Sequence, residues 1–244
     1  GTPKCLNLPA HTAQMQRFPA PHGAPKDAQA PLFSGKKPIP SRSNAAVVWP
    51  TPNSAFLQGR PISAWVQPTA SGRLESGLFG WVRNGGTRFH GGIDIKPVGR
   101  DRRGEPQDPV FAAMAGRVVY VNDKPGHSGF GRYVVLEHTS LKSRAHTLYA
   151  HLAKVKVRKG AWVKAGEPIG QMGRSAVYPI PKQRSHLHFE VGVLLSEHFP
   201  QWYRQQGFAQ PNHHGNYSGL NMARIDPLDF YQKLRAGQVQ DLDD

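Results

Sequence analysis

The chain is short of acid, almost without cysteine and free of long apolar runs, and each shortage removes a class of protein. Cys5 is the single cysteine in 244 residues. It cannot close an internal disulfide, so a disulfide-stapled scaffold is excluded. Cysteine avoidance leans mildly toward an oxidising compartment and decides nothing alone. No stretch approaches the roughly eighteen consecutive apolar residues a membrane span requires, so none is expected. The opening GTPKCLNLPA has neither the basic start nor the apolar h-region of a signal peptide. Gly-Thr-Pro-Lys ahead of Cys5 does not look like a lipoprotein cleavage site either. The numbering is expected to begin after a processing or truncation point, which leaves the compartment open.

The deficit of acid is the strongest bias. Sixteen Asp and Glu face 31 Lys and Arg, a formal net charge of +15. Such a balance attracts polyanions: nucleic acid, anionic lipid or a cell-wall polymer. The basic residues are dispersed, however. The tightest group, Lys154, Lys156, Arg158, Lys159 and Lys164 in KVKVRKGAWVK, alternates with Val155 and Val157 as a strand with one solvated face does. No zinc knuckle, ribonucleoprotein aromatic signature or recognition helix accompanies it. Retention on an acidic matrix is the expectation, and no nucleic-acid partner.

What the chain has in quantity is proline and glycine, unevenly placed. Residues 1–68 hold twelve of the 22 prolines. Proline withholds the donors a ladder needs, so this stretch is expected to be an extended arm that wraps the domain or a tether, with AAVVWP as a short docking strand. From 69 to 197 come short β-branched or alternating runs broken by glycine, among them VFAAMAGRVVYVND, GRYVVLEHT, HTLYAHLAKV and SHLHFEVGVLL. Strands so spaced without helical patterns between them predict an all-β domain, an antiparallel sheet or sandwich. Residues 198–244 form a C-terminal extension. HFPQWYRQQGFAQPNHHGNYSG, residues 198–219, reads as loop with aromatic anchors, and its QPNHHGNYSG end as solvated. IDPLDFYQKLRAG reads as a short helix with Asp226 as N-cap, Pro227 in the first turn and Gly237 as the stop.

Five residues carry the chemistry: His90 and Asp94 in RFHGGIDIK, His186 and His188 in RSHLHFEV, and His151 in LYAHL between them. Gly91 and Gly92 argue against helix, so HGGID is a loop running into a strand. On a strand, i and i+2 share a face. His90 and Asp94 then project together while Ile93 and Ile95 enter a core, and His186 and His188 oppose Leu187 and Phe189 in the same way. A lone strand histidine is usually structural. Two such pairs, each backed by an apolar face, form a metal-binding pattern. A catalytic zinc takes three protein ligands and keeps a fourth position open, and this set offers three with two histidines to spare. The other eight histidines read as structural or solvated, His146, His213 and His214 included.

FHGGIDIK, LYAHL and SHLHFEV, in this order and at these separations, resemble the lysostaphin-like (LytM-type) zinc metalloendopeptidases of bacterial peptidoglycan. The likeness runs from about Gly77 to Val193. It includes RKGAWVKAGEPIGQMG, similar to the family's glycine-rich hairpin. It implies a compact antiparallel sheet with an open substrate groove. One zinc per chain would be held by His90, Asp94 and His188, with His151 and His186 as the catalytic pair beside a zinc-activated water. The implied substrate is a peptide cross-link of peptidoglycan, in the periplasm, the cell envelope or outside the cell, and the protein is expected to be a monomer. The segment before the H-x-H, GRSAVYPIPKQRSHLHFE, is longer than the family's usual Gly/Ser/Thr-rich turn and should form a groove wall of altered preference. The insertion PVGRDRRGEPQDPV is polar and basic. Two alternatives stand beside this expectation: a non-catalytic activator of cell-wall amidases, and a zinc peptidase acting on protein.

Overall fold

The structure, a computed structural model, describes residues 47–244 except 70, 71, 84, 85, 87 and 139–143. The first 46 residues of the proline-rich arm, with Cys5 and the two alanines that open AAVVWP, lie outside the described residues. The expected antiparallel all-β architecture is the one the chain adopts. The strands are β1 (Val82–Arg83), β2 (Arg88–Phe89), β3 (Ile93–Ile95), β4 (Pro109–Phe111), β5 (Gly116–Asn122), β6 (Tyr133–Glu137), β7 (His146–Ala150), β8 (Leu152–Val155), β9 (Trp162–Val163), β10 (Pro168–Met172), β11 (Leu187–Leu194) and β12 (Met222–Ile225). The largest sheet has the order β12-β11-β7-β6-β5-β9, with β3 paired to the first half of β11. A second sheet, β4-β10-β8, and the β1–β2 pair complete it.

Burial explains why the central strands read as nearly continuous apolar runs. β6 and β7 are buried along their whole length. Val134, Leu136 and Tyr149 enter the main core with Ile93, Ile95, Leu187 and Phe189. Tyr133, Val135, Leu148 and Ala150 face the other way into a smaller cluster lidded by Tyr120, Phe130 and Tyr217. The lid includes part of the segment expected as solvated loop. Tyr120 Oη donates to the His213 carbonyl (2.8 Å), and His214 Nδ1 lies 2.9 Å from Tyr133 Oη. Covering an apolar sheet face outweighs the polarity of QPNHHGNYSG.

The described part of the arm, 47–68, straps the body. Val48 N–H donates to the Ala113 carbonyl and the Pro50 carbonyl accepts from Phe111 N–H, a pairing too brief to count as a strand. Trp49 stacks on Phe56 (4.7 Å) and meets Trp65 and Tyr231 edge-on. Tyr231 belongs to the expected helix, α2 (Pro227–Ala236), where the Asp226 side chain accepts from Leu228 N–H and Gly237 ends the helix at φ 69°. Aromatic burial thus fastens a strap whose prolines deny it ladder bonds. The helix α1 (Phe199–Gln205) stands where loop was expected. Its signal was Pro200 in the first turn with Phe199, Trp202 and Tyr203 at helical spacing. No helix among the described residues is long and apolar enough to cross a membrane.

Two buried histidines away from the groove make stability pH-dependent. His138 donates from Nδ1 to the Ala115 carbonyl and lies against Thr147. His146 is 3% exposed. Burial lowers His138 and pushes His146 down to about 4. The folded chain therefore keeps both neutral while the unfolded chain takes up protons below about pH 6.5. Stability should be intact above that pH and fall as it drops toward 4, each histidine adding a slope of about 1.4 kcal/mol per pH unit. Urea midpoints from neutral to acid pH check this. A slope that His146→Asn fails to flatten would remove His146 from the account.

Candidate metal centre

The centre is built on one register. In β11, His188 pairs with Asp94 of β3 on one side and with Ala150 of β7 on the other. Directly opposed residues share a face, so His188 and Asp94 project together and Ile93, Ile95, Leu187 and Phe189 are fully buried beneath them. His90 closes the set from the preceding turn, fixed by its backbone bonds to Trp81 and Gly80. Crowding acts at both glycines that follow, and at Gly92 it is backbone that leaves no room. A Cβ on Gly92 would sit 2.2 Å from the Phe189 carbonyl oxygen, and one on Gly91 would sit 2.4 Å from the Arg224 side chain.

His90 Nε2 is 3.1 Å from Asp94 Oδ1 and 3.1 Å from His188 Nδ1, and His188 Nδ1 is 2.8 Å from the same carboxylate oxygen. All three residues are buried, and they make up the one group of three or more candidate ligands among the described residues that could hold a metal ion. Each is steered from behind. His90 Nδ1–H donates to the Leu78 carbonyl (2.7 Å), which turns the Nε2 lone pair inward. His188 Nε2–H donates to Glu190 (2.8 Å), whose other oxygen accepts from Arg224 (2.6 Å). Asp94 Oδ2 accepts from Thr69 Oγ1 (2.7 Å) and faces Arg83 at 3.5 Å. Such outer partners fix the tautomer and orientation of metal-binding side chains. Donors about 2.1 Å from a tetrahedral zinc lie about 3.4 Å apart. Here they stand a few tenths closer, as groups hydrogen-bonded to one another do. The donor set and its second layer fit a zinc ion.

His151 and His186 flank the three, their rings 4.7 Å apart. His151 Nδ1–H donates to the Ser175 carbonyl and His186 Nδ1–H to the Arg184 carbonyl. Both leave Nε2 unprotonated, and that of His186 is 3.6 Å from Asp94 Oδ1. His151 sits at φ 61° between β7 and β8, a left-handed conformation uncommon outside glycine and a form of stored strain often met at functional positions. Burial lowers His151 strongly, with His186 and His188 adding to the effect. Burial lowers His186 too, against the pull of Asp94. Burial alone would raise the Asp94 carboxyl, but His186, His90 and His188 hold it well below the usual range. His188 goes the other way: despite its burial, Asp94 and Glu190 hold it up at about 9.

These side chains form the floor of a cavity of about 630 Å³, walled in part by Tyr178, Pro179, Ile180, Pro181 and Arg184. The long segment before the H-x-H therefore stands where a groove wall was expected. Glu190, Arg224, Thr69 and Arg83 were not singled out from sequence. Glu190 carried a signal, since it extends the alternation His186, His188, Glu190 by one step. The other three come from remote segments and carried none.

An antiparallel sheet with a buried His-Asp-His set on a groove floor defines a β-sheet fold with a candidate metal centre. The chain belongs to peptidase family M23, which matches residues 88–198, in agreement with the resemblance carried by FHGGIDIK, LYAHL and SHLHFEV. It is 36% identical over 105 residues to the peptidoglycan DD-endopeptidase ShyB of Vibrio cholerae, covering 43% of this chain and 20% of that protein. It is 33% identical over 91 residues to the lipoprotein NlpD of Yersinia enterocolitica, covering 37% and 84%. The catalytic domain of lysostaphin from Staphylococcus simulans aligns at 24% identity and a TM-score of 0.40, over 63% of this chain and 87% of that one. The chain spans between 20% and 38% of the length of three curated relatives.

Proposed function

We propose that the protein is a zinc-dependent endopeptidase that hydrolyses peptide cross-links of bacterial peptidoglycan in the cell envelope. The peptidase body would be residues 69–197, steadied by the strap and by the C-terminal extension. The observation that carries this is the convergence of His90 Nε2, Asp94 Oδ1 and His188 Nδ1 on a groove floor beside two further histidines with inward lone pairs. His90, Asp94 and His188 would hold the zinc. When bound, the zinc acts as a Lewis acid that polarises the scissile carbonyl and lowers the pKa of water toward 7. His151 and His186 supply the proton traffic. Held neutral by burial, with Nδ1–H tied to a carbonyl, each begins as a base at Nε2. The one that takes the attacking water's proton becomes a donor and returns it to the leaving amine nitrogen. The other would take a proton from solvent at Nε2, donate that N–H as a hydrogen bond to the oxyanion, and return the proton to solvent after product release.

The test is incubation of the metal-loaded chain with sacculi of several cross-link types, with and without chelator, and mass spectrometry of the muropeptides. Chelator-sensitive loss of cross-linked dimers is expected. Intact cross-links on every wall would overturn the proposal and favour an amidase activator or a protein-directed peptidase. The Glu190 support gives a graded companion. Glu190→Gln keeps the shape but loses the charge that orients His188, so zinc affinity should fall about 10–100-fold. Competition against a chromogenic chelator measures it, and unchanged affinity would remove Glu190 from the centre.

A further inference from the structure

The groove carries unmatched charge of one sign. Its two carboxylates are already engaged: Asp94 with His90, His188, Thr69 and Arg83, and Glu190 with His188 and Arg224. Two guanidiniums on its lining have no carboxylate partner among the described residues. Arg88 lies 5.9 Å over the ring of Tyr178, and Arg184 donates to the Thr69 carbonyl at 3.0 Å. Both are exposed side chains of the cavity wall. Their placement repeats. Arg88 precedes His90 by two residues in RFH, and Arg184 precedes His186 by two in RSH. Residues two apart on extended backbone share a side. Arg88 lies in β2, where this parity applies, whereas Arg184 ends a 3-10 turn (Lys182–Arg184) and owes its place to the cavity lining it shares with His186. Each arginine therefore stands beside a histidine of the centre and faces the same groove.

We infer that this groove selects an acidic peptide, one with free carboxylates close to the scissile bond, and that Arg88 and Arg184 are its specificity-determining residues. The inference rests on the peptidase reading above and narrows its substrate class. A guanidinium offers a planar fork that pairs bidentately with a carboxylate, which neither a water shell nor a lysine reproduces. Tyr178, 40% exposed and packed under Arg88, adds an apolar surface for the carbon chain bearing that carboxylate. A cationic peptide would meet two unpaired arginines, and an amidated one would leave both without a partner.

The test compares a cross-linked peptide carrying two free carboxylates with the same peptide amidated at both. Binding is measured first, by calorimetry on the full chain stripped of metal, so that no chemistry is needed. The acidic form should bind about tenfold tighter or better, the factor one charge-assisted hydrogen bond supplies, and salt should erode the preference. In the metal-loaded chain the ratio of hydrolysis rates should favour the acidic form likewise. The double variant R88Q/R184Q should bring both ratios toward one, and R88K/R184K should restore part of the preference, which a misfolded groove would not. Equal affinity for the two peptides, or a preference that survives R88Q/R184Q, overturns the inference and leaves the peptidase reading standing. Preferential binding without hydrolysis would instead sink the peptidase reading and leave an acidic-peptide site.

Discussion

Asp94→Ala should leave the chain without bound zinc and lower cross-link hydrolysis by at least about a thousandfold. The magnitude follows from the several kcal/mol of charge stabilisation a metal contributes to a transition state, at tenfold per 1.36 kcal/mol. Asp94 is the most exposed to this logic because it is the one anion shared by the whole centre: His90 and His188 converge on its Oδ1, His186 stands 3.6 Å away, and Thr69 and Arg83 hold its Oδ2. Removing it takes away the one carboxylate ligand of the set and leaves the Arg83 guanidinium, 3.5 Å from where that carboxylate stood, with no anion to offset it, so a divalent cation is bound far more weakly. Asp94→Asn separates charge from shape. It keeps the volume and a hydrogen-bonding oxygen, yet it should still lose most of its zinc, because an amide does not offset the metal's charge. Zinc content by native mass spectrometry and muropeptide release are the two readouts. A variant that kept zinc and activity would show that the centre is not built on Asp94.

Asp94 and His188 were legible as candidate ligands because period-two alternation ties each to buried neighbours, whereas His90 comes from a turn beside the exposed Phe89. Ile93, Ile95, Leu187 and Phe189 could reach the core only if Asp94 and His188 turned the other way. Register was not legible. Nothing in IDI or LHF says that His188 lies opposite Asp94; the paired strands β3 and β11 settle it, some ninety residues apart in the chain. Arg224 was invisible for the same reason, since it reaches Glu190 only because β12 adds to the far half of β11. The strap was half legible. Its prolines foretold few ladder bonds, while Trp49, Phe56 and Trp65 gave no sign that they would close around Tyr231 from the last helix. Within 198–219 the loop expectation fails only at α1, where Phe199, Trp202 and Tyr203 fall at helical intervals, while Tyr217 acts as an aromatic anchor over an apolar face left open by the sheet.

Substitution of His151 or His186 should divide binding from chemistry, with zinc retained and kcat lowered about 10²–10⁴-fold. Neither histidine belongs to the group whose ligand atoms converge, and each is tied through Nδ1 to a carbonyl, with only Nε2 left for the groove. For His186 the clean variant is alanine. For His151 it is asparagine, because position 151 holds φ at 61° and asparagine tolerates that region better than alanine does. An alanine there would mix strain with lost chemistry. With one histidine on the water's proton and the other on the oxyanion, the double variant should cost close to the product of the two single losses. A double variant that costs clearly less than that product would mean that both histidines serve one proton path. Loss of zinc from either variant would make that histidine a ligand and would move the open coordination position elsewhere in the groove.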